Sequence, residues 1–222
     1  MKKGIIIYHS NIKHIHKSRW TSKCINSIIN QSDNDFTFYE INYGDDDESV
    51  IPHDCNIEKR FWSIKLSNYA EASNFILDRA FEDGCDYVFN TNVDDYYDTS
   101  RISKQVKMMK DGYDISSSDF CYIEEFEDRG LFDDKITLLL NIHQYGNIRT
   151  NLEGGHNVIA NPAVCYSKNF WNDSNNRYDI TKVPADDYDL WLRSIRRGFK
   201  FGIHKDILLY YRRHYNQASV LL

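Results

Sequence analysis

Strand-like and helix-like patterns alternate along the first half of the chain. That alternation predicts an α/β protein built on a largely parallel sheet. Two further observations agree. The opening strand, Gly4 to Tyr8, is a continuous apolar run, as expected where helices cover both faces of a sheet. The chain has 222 residues, 41% of them apolar, which is enough for one substantial core and fits one domain better than two.

The elements follow in order. Ser18 to Gln31 places Trp20, Cys24, Ile25, Ile28 and Ile29 at helical spacing. Phe36 to Ile41 is a second strand, and Asn42 to Ser49 is a polar loop. Tyr69 to Phe81 is a helix with an apolar face at Tyr69, Ala72, Ile76, Leu77 and Ala80, and Gly84 stops it. Asp86 to Asn90 is the third strand, and Ile102, Val106 and Met109 mark a helix ended near Gly112. The second half is less regular. Asp114 to Ile123 and Asn157 to Tyr166 read as strands, whereas Glu124 to Asn151 is acidic and fits neither period. Asp187 to Arg197 is a helix with Leu190, Trp191 and Ile195 inward, and short strands at Phe199 to Ile203 and Ile207 to Tyr211 follow. Three prolines, no Gly/Ser-rich linker and no internal repeat leave nothing to mark a domain boundary.

Composition removes several function classes. Net charge is -6, the pI is near 5.7, and there is no long basic run, so a nucleic-acid partner is not expected. Five cysteines, an odd count without a Cys-x-x-Cys pair, argue against a disulfide framework or a zinc knuckle and for reduced thiols. The start, MKKGIIIYHSN, holds an apolar run too short for a signal-peptide core, and no later apolar stretch approaches 18 residues. The expectation is a soluble, cytoplasmic protein without a transmembrane segment; a homo-oligomer stays open.

The chemistry gathers at FNTNVDDYYD, Phe89 to Asp98. A buried strand runs into Asn92 and two adjacent carboxylates, Asp94 and Asp95. In open α/β sheets, ligands bind beyond the carboxyl ends of the strands. The segments after the first two strands, Tyr8 to Asn11 and Asn42 to Asp46, fall on the same edge. Two aspartates repel a diphosphate unless a cation sits between, and a hard divalent ion would bridge carboxylate and phosphate oxygens. The competing reading is a solvated turn, and for this stretch alone it is the stronger. A second cluster, Asp186 and Asp187 in VPADDYDLWLRSIRRG, opens a helix. Asp186 suits a cap there, and Asp187 suits a general base kept ionised by the helix end. A third is LLYYRRHYNQAS, where His214 could ligate the same ion and Arg212 and Arg213 could neutralise phosphate. Other features read as bland: His14-x-His16 as a surface loop, Asp45 to Glu48 as an acidic loop without EF-hand spacing, and Gly154-Gly155-His156 as a turn.

These pieces, in this order, resemble the GT-A fold glycosyltransferases of the family 2 type, inverting enzymes that use nucleotide-diphosphate sugars. The opening strand followed by Asn matches IIIYHSN at Asn11, the CI-x-S-I-x-x-Q helix matches CINSIINQ, and the acidic loop matches NYGDDDES. The helix with Ala-x-x-Asn resembles AEASNFILDRA. The Asp-x-Asp-Asp motif matches NVDD, the late Glu-Asp-x-x-Leu matches DDYDL, and the closing Tyr-Arg-x-His matches YRRH. Only Cys121 to Asn151 matches poorly.

The resemblance implies one GT-A domain, a Rossmann-like mixed and mainly parallel sheet flanked by helices. Residues 1–112 would hold the nucleotide sugar, and residues 113–222 the acceptor and the catalytic group. It implies Mn²⁺ or Mg²⁺ on Asp94 and His214, Asp187 as catalytic base, Asn92 at the ribose and Asp95 at the donor sugar. Tyr8, His9, Asn11, Asn42, Tyr43, Asn68 and Val93 would complete the nucleotide-sugar site. The partners implied are a nucleotide-diphosphate sugar, with a UDP-sugar leading, and a hydroxyl acceptor on a glycan, lipid or protein. The chain departs from the family at Asn42, Tyr43 and Asn92, where Asp is usual. Asn42 keeps a donor and an acceptor, and Tyr43 could stack on a base. Asn92 removes a negative charge, so weaker ion binding is expected. Missing Gln-x-x-Arg-Trp and transmembrane helices favour single-sugar transfer. The alternatives are a nucleotide-sugar-binding module without transfer, and a metal-dependent nucleotidyltransferase or phosphohydrolase.

Overall fold

Nine strands join one sheet in the computed structural model, which describes residues 1–12, 16–45 and 48–215. The left part is β1 (Lys3–His9), β2 (Thr37–Asn42), β3 (Lys59–Ser63) and β4 (Tyr87–Phe89), in the order β3-β2-β1-β4, all parallel. The sheet continues through β8 (Cys165–Ser167), β6 (Ile115–Asp128), β9 (Phe201–Arg212) and β5 (Tyr96–Tyr97). β7 (Leu131–Leu140) pairs with β6 as a hairpin. β6 and β9 run with β1 to β4, while β5, β7 and β8 oppose them, so the sheet is mixed but mainly parallel.

The strand period explains the layering. Ile5 and Ile7 of β1 pack with Cys24, Ile25 and Ile28 of α1 (Ser18–Ile29) and with Ile102, Val106 and Met109 of α3 (Arg101–Lys110). Ile6 points to the other face, against Ala72, Ile76 and Leu77 of α2 (Tyr69–Glu82). Each buried aliphatic side chain contributes about 1.5–3 kcal/mol, which makes this register hard to shift. Gly84, at φ 89°, ends α2 in a backbone region closed to most side chains. No helix among the described residues is long and apolar enough to cross a membrane.

The second half corrects three expectations. β6 continues to Asp128, turns at Arg129 and Gly130, both at positive φ (52° and 81°), and returns as β7. Positive φ at both central residues suits the twist of a tight hairpin. β7 lacked a readable period because it has no buried face: Leu131, Phe132, Ile136, Leu138 and Leu139 are all exposed. Asn157 to Tyr166 is not a strand. Pro162 sits in a single 3-10 turn, Asn161–Ala163, and only Cys165–Ser167 joins the sheet. The two closing strands are one, β9, carried past register irregularities opposite Ser118 to Phe120. The short edge strand β3, in the first half, sets Phe61 and Trp62 side by side and so carries no strand-like alternation. The remaining helices are α4 (Ile148–Glu153), α5 (Lys168–Asn172) and α6 (Asp186–Arg196). Gly154 and Gly155 close α4, as the turn reading expected.

Candidate active site

The carboxyl ends of β1, β2 and β4 open on a cleft of about 480 Å³. Tyr8, His9, Tyr43, Asn92, Val93 and Asp94 line one side, and Asn157, Asp186 and Asp187 line the other.

Asp94 is held in place from behind. Its carbonyl accepts from Arg212 Nε at 2.8 Å, and the next residue, Asp95, accepts from the Arg212 amide at 2.8 Å. Arg212 is itself buried and pairs with Asp134 of β7, which also takes Lys23 of α1. The backbone at Asp94 thus rests on a guanidinium that the hairpin fixes through Asp134. His214, two residues past Arg212, brings Nε2 within 2.9 Å of Asp94 Oδ2. His16 completes the group: one donor atom each from His16, Asp94 and His214 lie within 4.8 Å of one another. Burial, foremost, pushes the His16 imidazole below its ordinary pKa, aided by His214 and His9 and opposed by Asp94. Two imidazoles and a carboxylate, one of them a neutral ring at neutral pH, make a donor set that fits a divalent ion.

The opposite side carries the second pair. α6 starts at Asp186, with Ala185 in the capping position, so Asp186 does not cap. It is buried and accepts from Tyr69 Oη at 2.9 Å. Asp187 accepts from the Tyr188 amide at 2.6 Å and from Asn157 Nδ2 at 3.3 Å. Burial first, and the charge of Asp186 second, push its pKa up to about 6. That value leaves the carboxylate mostly ionised at neutral pH yet more basic than an exposed aspartate, as a general base requires.

No family model matches the sequence, and no curated protein matches it. Solved structures do. The structure of S. aureus TarS 1-349 with UDP-GlcNAc superposes at a TM-score of 0.69 with 13% identity, over 99% of this chain and 61% of that one. TarS 1-349 with UDP gives 0.67 and 12% over 96% and 61%, and a longer TarS chain gives 0.64 and 12% over 96% and 37%. TarS is a GT-A-type glycosyltransferase. The chain has a GT-A fold. It spans about three fifths of the TarS 1-349 chain.

The GT-A placement sorts the expected site residues. Tyr8, His9, Tyr43, Asn92, Val93, Asp94, Asp187 and His214 all line the one cleft. Asn92 Oδ1 accepts from Tyr8 Oη at 3.1 Å, tying β1 to the loop after β4. Asn11, Asn42, Asn68 and Asp95 do not line it. Asn42 is fully buried, and its Oδ1 accepts the Gly44 amide at 2.9 Å. That turn brings Gly44 so close to β1's loop that a Cβ there would meet the Asn11 amide at 2.9 Å. Asn68 caps α2 through the Glu71 amide at 3.0 Å and donates to the Ile180 carbonyl at 3.2 Å. Asp95 is buried behind Asp94; burial and then the Asp94 charge raise its pKa well above the carboxylate range. Arg212 does not face a phosphate, being committed to Asp134 and Asp94, and exposed Arg213 lies 5.2 Å over the Tyr122 ring. His14, Asp46 and Asp47 lie outside the described residues. His16, expected on a surface loop, has a donor atom within 4.8 Å of those of Asp94 and His214. The missing signal is distance: Asp94 is 78 residues away, and only the fold closes that gap.

Proposed function

We propose that the protein is a metal-dependent, inverting glycosyltransferase of the family 2 type, hexosyltransferase-like, acting on a nucleotide-diphosphate sugar, with a UDP-sugar the leading donor. One observation carries the reading: a single cleft has a cation-ready rim at Asp94 and His214 and a basic carboxylate, Asp187, on the other side. The GT-A likeness to TarS structures bound to UDP and UDP-GlcNAc supports the choice of donor. A divalent ion, Mn²⁺ or Mg²⁺, held by Asp94 and His214 would supply Lewis-acid stabilisation of the leaving diphosphate. Asp187 accepts the proton of the acceptor hydroxyl as its oxygen bonds the anomeric carbon and the carbon–oxygen bond to the diphosphate breaks. Attack from the face opposite the leaving group inverts the centre. Tyr8 and Asn92, hydrogen-bonded to each other, orient the donor, and Asn157 steadies Asp187. The acceptor is a hydroxyl on a glycan, lipid or protein.

A thermal-shift panel of nucleoside diphosphates and their sugars, with and without Mn²⁺, tests the reading. UDP with Mn²⁺ should raise the melting midpoint, by the equivalent of about 2.7 kcal/mol at a hundredfold excess over Kd. A UDP-sugar with Mn²⁺ should also hydrolyse slowly to sugar and UDP. No shift with any nucleotide removes the proposal, and a shift without hydrolysis or transfer turns it into a binding module.

A further inference from the structure

We infer that His16 is a third protein donor to the ion, giving a two-imidazole, one-carboxylate site that favours first-row transition ions over Mg²⁺. The inference rests on the proposed cation at Asp94 and His214 and goes beyond it by naming the ion class.

Three observations support it. The donor atoms of His16, Asp94 and His214 converge within 4.8 Å although they come from three distant segments. His16 Nδ1 is buried and has no hydrogen-bond partner. A buried ring nitrogen without a partner is costly unless a ligand supplies one. The rings are also preset. The His16 amide donates to the Ile12 carbonyl at 2.9 Å, and its ring stands edge-on to His214 at 5.9 Å. Trp20 backs His214 at 5.1 Å, and its Nε1 is pinned by Glu125 Oε1 at 2.7 Å.

The donor chemistry then selects the ion. Mg²⁺ takes oxygen ligands and parts reluctantly with water, whereas imidazole suits the transition series, with affinity rising from Mn²⁺ to Co²⁺ and beyond. Asn92, which stands where a carboxylate is usual, leaves Asp94 as the one charged donor of the three. Neutral His16 adds a ligand without adding charge. The ion keeps one net positive charge for a diphosphate.

Calorimetric titration of the full chain with Co²⁺ and with Mg²⁺, each with UDP present, tests this directly. The visible absorption of bound Co²⁺ gives a second readout that does not depend on activity. Wild type should bind Co²⁺ more tightly than Mg²⁺. His16→Ala should weaken Co²⁺ at least roughly tenfold, change its spectrum, and leave Mg²⁺ within about threefold. His16→Asp, which restores a donor as oxygen, should move the preference toward Mg²⁺. Melting of each variant without metal checks folding. An unchanged Co²⁺ affinity and spectrum in folded His16→Ala overturns the inference while leaving Asp94 and His214 as the site. Wild type that binds neither ion with UDP overturns the underlying cation reading as well.

Discussion

Two pairs of neighbouring aspartates border the cleft, and the chain treats them differently. In each pair one member is buried and anchored: Asp95 by the Arg212 amide, Asp186 by Tyr69 Oη. The other members, Asp94 and Asp187, line the cleft, and Asp186 lines it beside Asp187. Around Asp94 stand Arg212, which holds its backbone carbonyl, and two imidazoles, His214 and His16. Around Asp187 the contacts are an amide, an asparagine and a second carboxylate, and its pKa rises to about 6. Under the proposed function, the same dipeptide would serve as an ion seat beside two imidazoles and as a base where no cation stands.

Removing the base should give the largest effect. Asp187→Asn should lower transfer by about 10²- to 10⁴-fold while UDP and Mn²⁺ binding stay near wild type. Turnover at the wild-type rate would dismiss Asp187 as the base. The same variant should gain stability, with a defined sign. The folded-state pKa lies above the unfolded one, so ionised Asp187 costs stability fully above pH 6, and the cost fades toward pH 4. The variant's melting advantage should therefore be greatest at pH 7.5 and vanish near pH 4.

Breaking the support of the other rim comes next. Asp134→Ala leaves the Arg212 guanidinium buried without its carboxylate partner, which should cost about 3–5 kcal/mol in urea unfolding. Because Arg212 also holds the Asp94 carbonyl, Mn²⁺ binding should weaken with it. A loss under about 1 kcal/mol would place the pair among ordinary surface bridges.

The same contrast explains what could be read in the sequence. Ile5 to Ile7 and the faces of α1, α2 and α3 repeat at strand or helix periods because each has a buried side. β7 has none, yet Asp134 on it and Glu125 on β6 brace both the Asp94 and the His214 ends of the site. Glu125 gathers Arg19, Lys17 and Trp20, and Arg19 foremost draws its pKa down to about 2. Such long-range ion pairs leave no period in the chain. Asp94, Asp187 and His214 stand out in the sequence because each lies close to an end of a regular element. Asn42 and Asp95 look like cleft residues in sequence, but both are buried outside its lining, and the fold brings His16 close to Asp94.

The smallest expected effect probes the coupling inside the second pair. The wild-type pH profile of kcat/KM should fall about tenfold per unit below pH 6, where Asp187 takes up its proton, and level off above. Tyr69→Phe removes a hydrogen bond that favours ionised Asp186, at about 0.5–1.5 kcal/mol of stability. Asp186 is then protonated more of the time and repels the Asp187 charge less. The acid limb should move to lower pH by a fraction of a unit, with the plateau rate little changed. A limb that stays in place would mean that burial alone sets the basicity of Asp187 and that its neighbour's charge plays no part.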